Sequence, residues 1–251
     1  MPTTGCTNLP DGQVEGSQRR ALVTGVGRQA GIGWAVARRL RADGWIVITT
    51  GFRGYDDRMA WGADPKALAD FEVDFADPSS PTNLFGLLAD DGVVSALVMC
   101  HCESVDSSIS TTTVESFDRH MAVNARSVWL LIREFAAQLG HRSAGGRIVG
   151  ITSDHTAFNV PYGASKGALD RIVIAAAAEL ADQHVTANVI NPGATDNGWM
   201  TDVIRESVLT ANLSARISTP EDTANLVSFL LSTDGVWING QLLYSNGGLR
   251  P

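Results

Sequence analysis

The 251-residue sequence is poor in cysteine, in basic charge and in long apolar stretches, and each shortage excludes a class of protein. Its three cysteines, Cys6, Cys100 and Cys102, are an odd number with one close pair. They cannot build the bridged framework of a small secreted scaffold, and they point to a reducing, cytoplasmic setting. Lys and Arg number 19 against 27 Asp and Glu, a formal net charge of −8. That is the wrong sign for a surface that tracks phosphates, so no nucleic-acid partner is expected. The longest unbroken apolar run, residues 172–178, falls far short of the roughly 18 to 20 residues of a membrane span, and no membrane partner is expected either. Residues 1–18 carry Pro, Gly, Thr and Asn without an apolar segment, unlike a signal or transit peptide, and are expected to be a disordered tail.

What the chain has in quantity is apolar side chains, 44%, and glycine, 25 residues. The composition is globular, with an excess of glycine that tight loops or close backbone contacts must explain. No internal repeat or linker-like shift interrupts residues 19–251, which are expected to form one domain.

Apolar runs bounded by turn residues predict strands at 20–25, 45–50, 71–75, 93–100, 146–152 and 185–190, with an extended piece at 241–245. Helical spacing predicts helices at 32–43, 78–90, 116–140, 162–183 and 220–232, and a short one at 65–69. Strands that alternate with helices and are apolar throughout imply a parallel sheet buried on both faces. The expected architecture is a doubly wound α/β domain with about seven strands.

After the first strand the chain runs Thr24, Gly25, Val26, Gly27, Arg28, Gln29, Ala30, Gly31, Ile32, Gly33, and then a helix begins. A phosphate reaches backbone N–H groups only where no Cβ intervenes, and a helix N-terminus adds partial positive charge, so this is a dinucleotide-binding turn of Rossmann type. An acidic residue at the end of the second strand would bind the ribose 2′-hydroxyl of NAD, but Thr49, Thr50 and Gly51 stand there. Arg28 and Arg53 are instead available to a 2′-phosphate, which favours NADP(H) and leaves NAD(H) possible. Further on, Tyr162 and Lys166 stand at i and i+4 of a predicted helix. One face then holds a phenol beside an ammonium, and an adjacent cation is expected to favour the phenolate of a general acid or base.

The glycine loop followed by Tyr-x-x-x-Lys resembles the short-chain dehydrogenase/reductase family, over about residues 20–249. In type the chain is most similar to 3-oxoacyl-[acyl-carrier-protein] reductase-like members. The resemblance implies a catalytic tetrad of Asn124, Ser153, Tyr162 and Lys166, with Thr152 or Thr156 as alternatives to Ser153. Only eight residues separate Ser153 from Tyr162, fewer than is usual in the family. It implies that Asn124 holds a water linking the lysine to solvent. Asp74 would bind the adenine amine, Phe75 supply the neighbouring backbone contact, and Pro192, Gly193 and Thr195 hold the nicotinamide end. Two departures stand out. Two extra residues lie between Gly25 and Gly31, unless Gly27 is the first glycine of the motif, and the family's Asn-Asn-Ala-Gly is replaced by Cys100, His101, Cys102 and Glu103. Cys100 would line the adenine ribose. A metal is not expected, because a zinc site needs about four ligands and no second cluster exists.

The reaction so implied is NADP(H)-dependent reduction of a carbonyl to an alcohol, or its reverse, on a small-molecule substrate. A 3-oxoacyl thioester, small ketone, quinone or polyketide-like compound would qualify. The enoyl-reductase branch separates its tyrosine and lysine by more than four residues, so carbonyl chemistry is favoured. Substrate choice would reside in the loop 194–213, with Trp199 and Met200 offering an apolar wall. The family commonly assembles through its two long helices, so a homo-oligomer, tetramer or dimer, is expected. The competing reading is a nucleotide-binding regulatory module or non-redox catalyst on the same scaffold.

Overall fold

The computed structural model describes residues 19–140, 145–155, 157–198 and 200–248. The expected tail at 1–18, together with Thr156 and Trp199, lies outside the described residues. The chain runs through β1 (Arg20–Thr24), α1 (Ile32–Ala42), β2 (Ile46–Gly51), α2 (Arg53–Asp56), β3 (Phe71–Glu72), α3 (Ser80–Leu88) and β4 (Ala96–Met99). It continues with α4 (Val114–Met121), a wide π-turn (Ala122–Arg126), α5 (Ser127–Leu139), β5 (Gly146–Ile151), α6 (Val160–Glu179), β6 (Val185–Asn191), α7 (Asp202–Ala211), α8 (Pro220–Leu231) and β7 (Leu242–Tyr244).

All pairings in the seven-stranded sheet are parallel, in the order β3-β2-β1-β4-β5-β6-β7. Register and pleat together sort the side chains into two cores. Leu22, Leu97, Ile148 and Ala187 stand side by side across four strands and face α3, α5 and α6, where Phe135, Leu169 and Val173 pack on them. Val23, Val98 and Val149, one residue on, face α1 and α8 through Val36, Leu40, Val227 and Leu230. With both faces covered, the inner strands β1, β4 and β6 bury every residue, as doubly wound sheets require. The strand order reverses between β1 and β4, so a crevice opens at their carboxyl ends. Among the described residues no helix is long and apolar enough to cross a membrane.

Four expectations are corrected here. The short helix falls at Arg53–Asp56, and 65–69 is an irregular turn, because Asp64 caps the Lys66 amide and ends the turn locally. The strand expected at 71–75 pairs only over Phe71–Glu72, since at the sheet edge β2 offers it two partners, Thr50 and Gly51. The long helix of 116–140 is two helices joined by the π-turn, where the Val123 carbonyl receives hydrogen bonds from Ser127 Oγ at 2.6 Å and His101 Nε2 at 3.1 Å. Competition of that kind for a helix carbonyl widens a turn. The stretch 194–213, expected to be a loop, contains α7, capped by Thr201, whose Oγ1 accepts from the Ile204 amide at 3.3 Å.

Candidate active site

The glycine loop leaves β1 with Gly25 at φ +75°, and a Cβ there would lie 2.5 Å from the His101 amide nitrogen. At Gly33 a Cβ would lie 2.4 Å from the Gly25 carbonyl oxygen, so α1 packs on the loop only through glycine. At these two positions backbone meets backbone, whereas a Cβ at Gly27 would meet a side chain, that of Asp56. Gln29 and Ala30 form an exposed turn closed by the Gly31 amide on the Arg28 carbonyl at 3.0 Å. The loop fits a dinucleotide phosphate: Gly31 caps α1 without a side-chain hydrogen bond and the first turn carries no acidic residue. Its amide groups and partial positive charge are thus left to an anion.

Thr24 closes β1 from the other side. Its Oγ1 accepts from the Cys100 amide at 3.2 Å and lies 2.6 Å from His101 Nδ1. His101 Nε2 faces the Val123 carbonyl and Ser127 Oγ, at 3.1 and 2.8 Å. A carbonyl only accepts, so Nε2 carries the proton and Nδ1 accepts from Thr24. Burial pushes the His101 pKa down to about 3, with Lys166 acting in the same direction, so the imidazole is neutral and serves as a hydrogen-bonded spacer. It also packs on the Phe75 ring, 4.4 Å between centroids. Burial raises both nearby thiols, Cys100 to about 12, and neither is an activated nucleophile.

Asn124 sits fully buried in the π-turn. Its Oδ1 accepts from the Glu103 amide at 2.7 Å, and its Nδ2 donates to the Glu103 carbonyl at 2.8 Å and to Ser165 Oγ at 2.9 Å. Both N–H groups are therefore spent on protein. The side chain is thereby a bracket between the loop after β4 and α6, with one Oδ1 lone pair left over.

Tyr162 and Lys166 stand on one face of α6, Lys166 Nζ 5.8 Å from the Tyr162 ring centroid. The lysine is buried and donates to the Ile151 carbonyl at 2.8 Å. Burial lowers the Lys166 pKa, while the nearby Cys102 and Cys100 thiols act the other way. Burial raises that of Tyr162, reinforced by Cys102, and a hydrogen bond with the Ser153 hydroxyl offsets part of the rise. The expectation of a phenol shifted toward phenolate is thus corrected: desolvation, with Cys102 beside the ring, holds the group protonated. Ser153 follows β5, its Oγ accepting from the His155 amide at 3.1 Å. Thr152 is buried and turned toward α6, its Oγ1 donating to the Lys166 carbonyl at 3.4 Å, so it does not compete with Ser153 for the phenol.

The turn after β6 brings in Pro192 and Gly193. Gly193 has φ +64°, and its amide donates to Asn191 Oδ1 at 2.9 Å. Thr195 folds back on the Pro192 and Gly193 carbonyls and bridges to Ser218. Asp74 pairs with Arg119 at 3.2 Å and accepts from the Ala76 amide. Arg53 is exposed, its amide tied to Glu72 Oε1 at 2.9 Å. Arg28 lies over the Trp61 ring at 5.0 Å and donates to the Asn197 carbonyl at 2.7 Å, so of the two arginines only Arg53 extends freely from the end of β2.

Sequence reasoning missed the ion network under this crevice. The Glu103 side chain is 3% exposed and receives Arg58 and Arg119, each at 3.0 Å. The partners lie 45 and 16 residues away, and no local spacing signals them. Tyr55 and Asp56, which close over the loops, were equally silent.

The matching family model is described as "Enoyl-(Acyl carrier protein) reductase" and covers residues 25–250. An uncharacterized oxidoreductase, YjdA of Bacillus subtilis, is 31% identical, with 92% of this chain and 96% of the relative covered. The 3-oxoacyl-[acyl-carrier-protein] reductase MabA of Mycobacterium bovis is 32% identical, with 92% of each covered. A crystal structure of the angucycline C-6 ketoreductase LanV with bound NADP superposes with a TM-score of 0.78 at 29% identity, covering 92% of this chain and 95% of that one.

Proposed function

The chain belongs to the short-chain dehydrogenase/reductase family of NAD(P)-dependent oxidoreductases, and from that premise we propose that it reduces a ketone to an alcohol with NADP(H), using Tyr162 as the proton donor. One observation carries the reading: a partly buried phenol, raised in pKa and hydrogen-bonded to Ser153, beside the ammonium of Lys166. When bound, the nicotinamide exchanges a hydride with the carbonyl carbon. Tyr162 gives its proton to the carbonyl oxygen, so C=O becomes CH–OH, and in reverse it takes that proton back. Ser153 orients the carbonyl and donates toward its developing negative charge. Lys166, anchored on Ile151, supports the phenolate left after transfer, and Asn124 holds the wall against which the phenol and lysine are fixed.

Arg53 favours NADP(H) by pairing with the 2′-phosphate, NAD(H) remaining a weaker alternative. Likeness to a 3-oxoacyl reductase and an angucycline ketoreductase supports a ketone on an acyl or polyketide-like skeleton. The four-residue step from Tyr162 to Lys166 favours carbonyl over double-bond reduction. We also infer self-association through the groove of about 560 Å³ that Met121, Ala125, Trp129, Ala168 and Ile172 line together with the charged Asp118 and Arg126, checked by light scattering. The decisive experiment is NADPH oxidation against a panel of ketones. Tyr162→Phe should abolish turnover and still bind NADPH. Full activity in that variant overturns the mechanism, and NADPH binding with no turnover on any carbonyl supports the binding-module reading.

A further inference from the structure

We propose that residues 53–64 form a strap that competes with the dinucleotide for the crevice between β1 and β4, with Asp56 as its anionic plug against the glycine loop; the inference rests on reading that loop as the dinucleotide site. The strap starts at α2, on the far side of β1 from β4, where the Arg53 amide is held by Glu72 Oε1; Arg53 is its fixed base, free to stay beside a 2′-phosphate, and the residues beyond it touch the loops that follow both strands.

Its contacts with the glycine loop are threefold. Asp56 is 5% exposed and fixed through Oδ1, which accepts from Trp61 Nε1 at 3.0 Å. Its Oδ2 faces Gly27 so closely that a Cβ there would lie 2.7 Å away. A carboxylate thus rests on a loop whose chemistry, bare backbone beside a helix N-terminus, is made for an anion. Trp61 lies under Arg28, and Asp64 Oδ2 accepts from the Gln29 amide at 3.0 Å.

On the other side of the crevice, Tyr55 Oη donates to the Ser104 carbonyl at 3.2 Å and Arg58 donates to Glu103 Oε2 at 3.0 Å. A segment tied to the loops after β1 and after β4 crosses the switch point where open α/β sheets take their ligands. With the Asp56 carboxylate against Gly27, on the loop that the dinucleotide reading assigns to a phosphate, strap and phosphate compete for that loop.

The strap is built to let go. No residue of 53–64 belongs to either hydrophobic core, and its attachments are hydrogen bonds, one ion pair and ring contacts. Polar segments without core anchors open at low free energy. Cofactor affinity is then reduced by the fraction of molecules in which the strap is open, and weakening the strap tightens binding.

The test uses the full chain, with calorimetric titration of NADPH into the unsubstituted protein, Asp56→Asn and Tyr55→Phe. It adds hydrogen exchange of the 53–64 amides with and without NADPH. Thermal melts check that both variants fold. Each variant should lower the NADPH Kd, by about tenfold for Asp56→Asn, and NADPH should speed exchange in 53–64. Slower exchange on binding, with weaker affinity in both variants, would mean that the strap grips the cofactor. Unchanged affinity and exchange also overturn the proposal while leaving the dinucleotide reading intact. Failure of all three proteins to bind NADPH or NADH would remove the dinucleotide reading and the strap's role with it.

Discussion

The two ends of the crevice are built on different principles. At the β5–α6 end, Asn124, Ser165 and Lys166 are at most 2% exposed, and their side chains are tied to backbone or to one another. At the β1–β2 end, Arg53, Arg58 and Asp57 are exposed and the contacts are ion pairs and single hydrogen bonds from a coreless strap. Chemistry that needs a fixed angle between phenol, hydroxyl and ammonium sits where the protein is packed. Recognition of a long, charged, flexible molecule sits where segments can move aside.

Lys166→Met should separate the two ends most sharply. Turnover is expected to fall by about 10²-fold or more, while urea stability holds or rises, because an apolar side chain of similar length replaces a desolvated ammonium. A loss of stability equal to the loss of activity would break the contrast. Asn124→Ala should come next: it leaves the buried Glu103 amide and carbonyl unpaired, at about 1 to 3 kcal/mol for each such group. Denaturant midpoints measure it, and a cost below that of Tyr55→Phe would refute the rigid end. Arg53→Ala should weaken NADPH by about tenfold and leave NADH unchanged, as read by calorimetry. Equal effects on both would remove Arg53 from the 2′-phosphate.

Both ends of the crevice share a pH dependence of stability set by His101. Folded, the imidazole stays neutral with a pKa near 3, whereas in the unfolded chain it titrates near its ordinary value of about 6.5. The unfolded state therefore binds the extra proton. The His101 contribution is complete above about pH 6.5 and is lost as the pH falls from there toward 3, with a slope approaching 1.4 kcal/mol per pH unit. Urea midpoints between pH 7.5 and 5 should show this slope, and His101→Asn should flatten it.

Much of this was legible beforehand. The alternation of apolar strands with helices, Gly25 to Gly33 after β1, and Tyr162 four residues before Lys166 on α6 all follow from local spacing. The β3 edge, the break at Ala122–Arg126 and α2 were not legible. Each depends on a partner distant in sequence, such as His101 on Val123. The protonated state of Tyr162 was misjudged because i to i+4 spacing reveals a neighbouring cation and says nothing of burial.

The sequence by itself determined the parallel doubly wound sheet, the glycine turn and the phenol–ammonium pair, since these are set by short-range periodicity and by residues without a Cβ. Only the tertiary structure decided that Asn124 is a bracket, that His101 is a neutral spacer, that Glu103 collects two arginines and that Asp56 lies on Gly27. Those are contacts between side chains far apart along the chain, and their energies exist only once the loops at the carboxyl ends of the strands have been brought together.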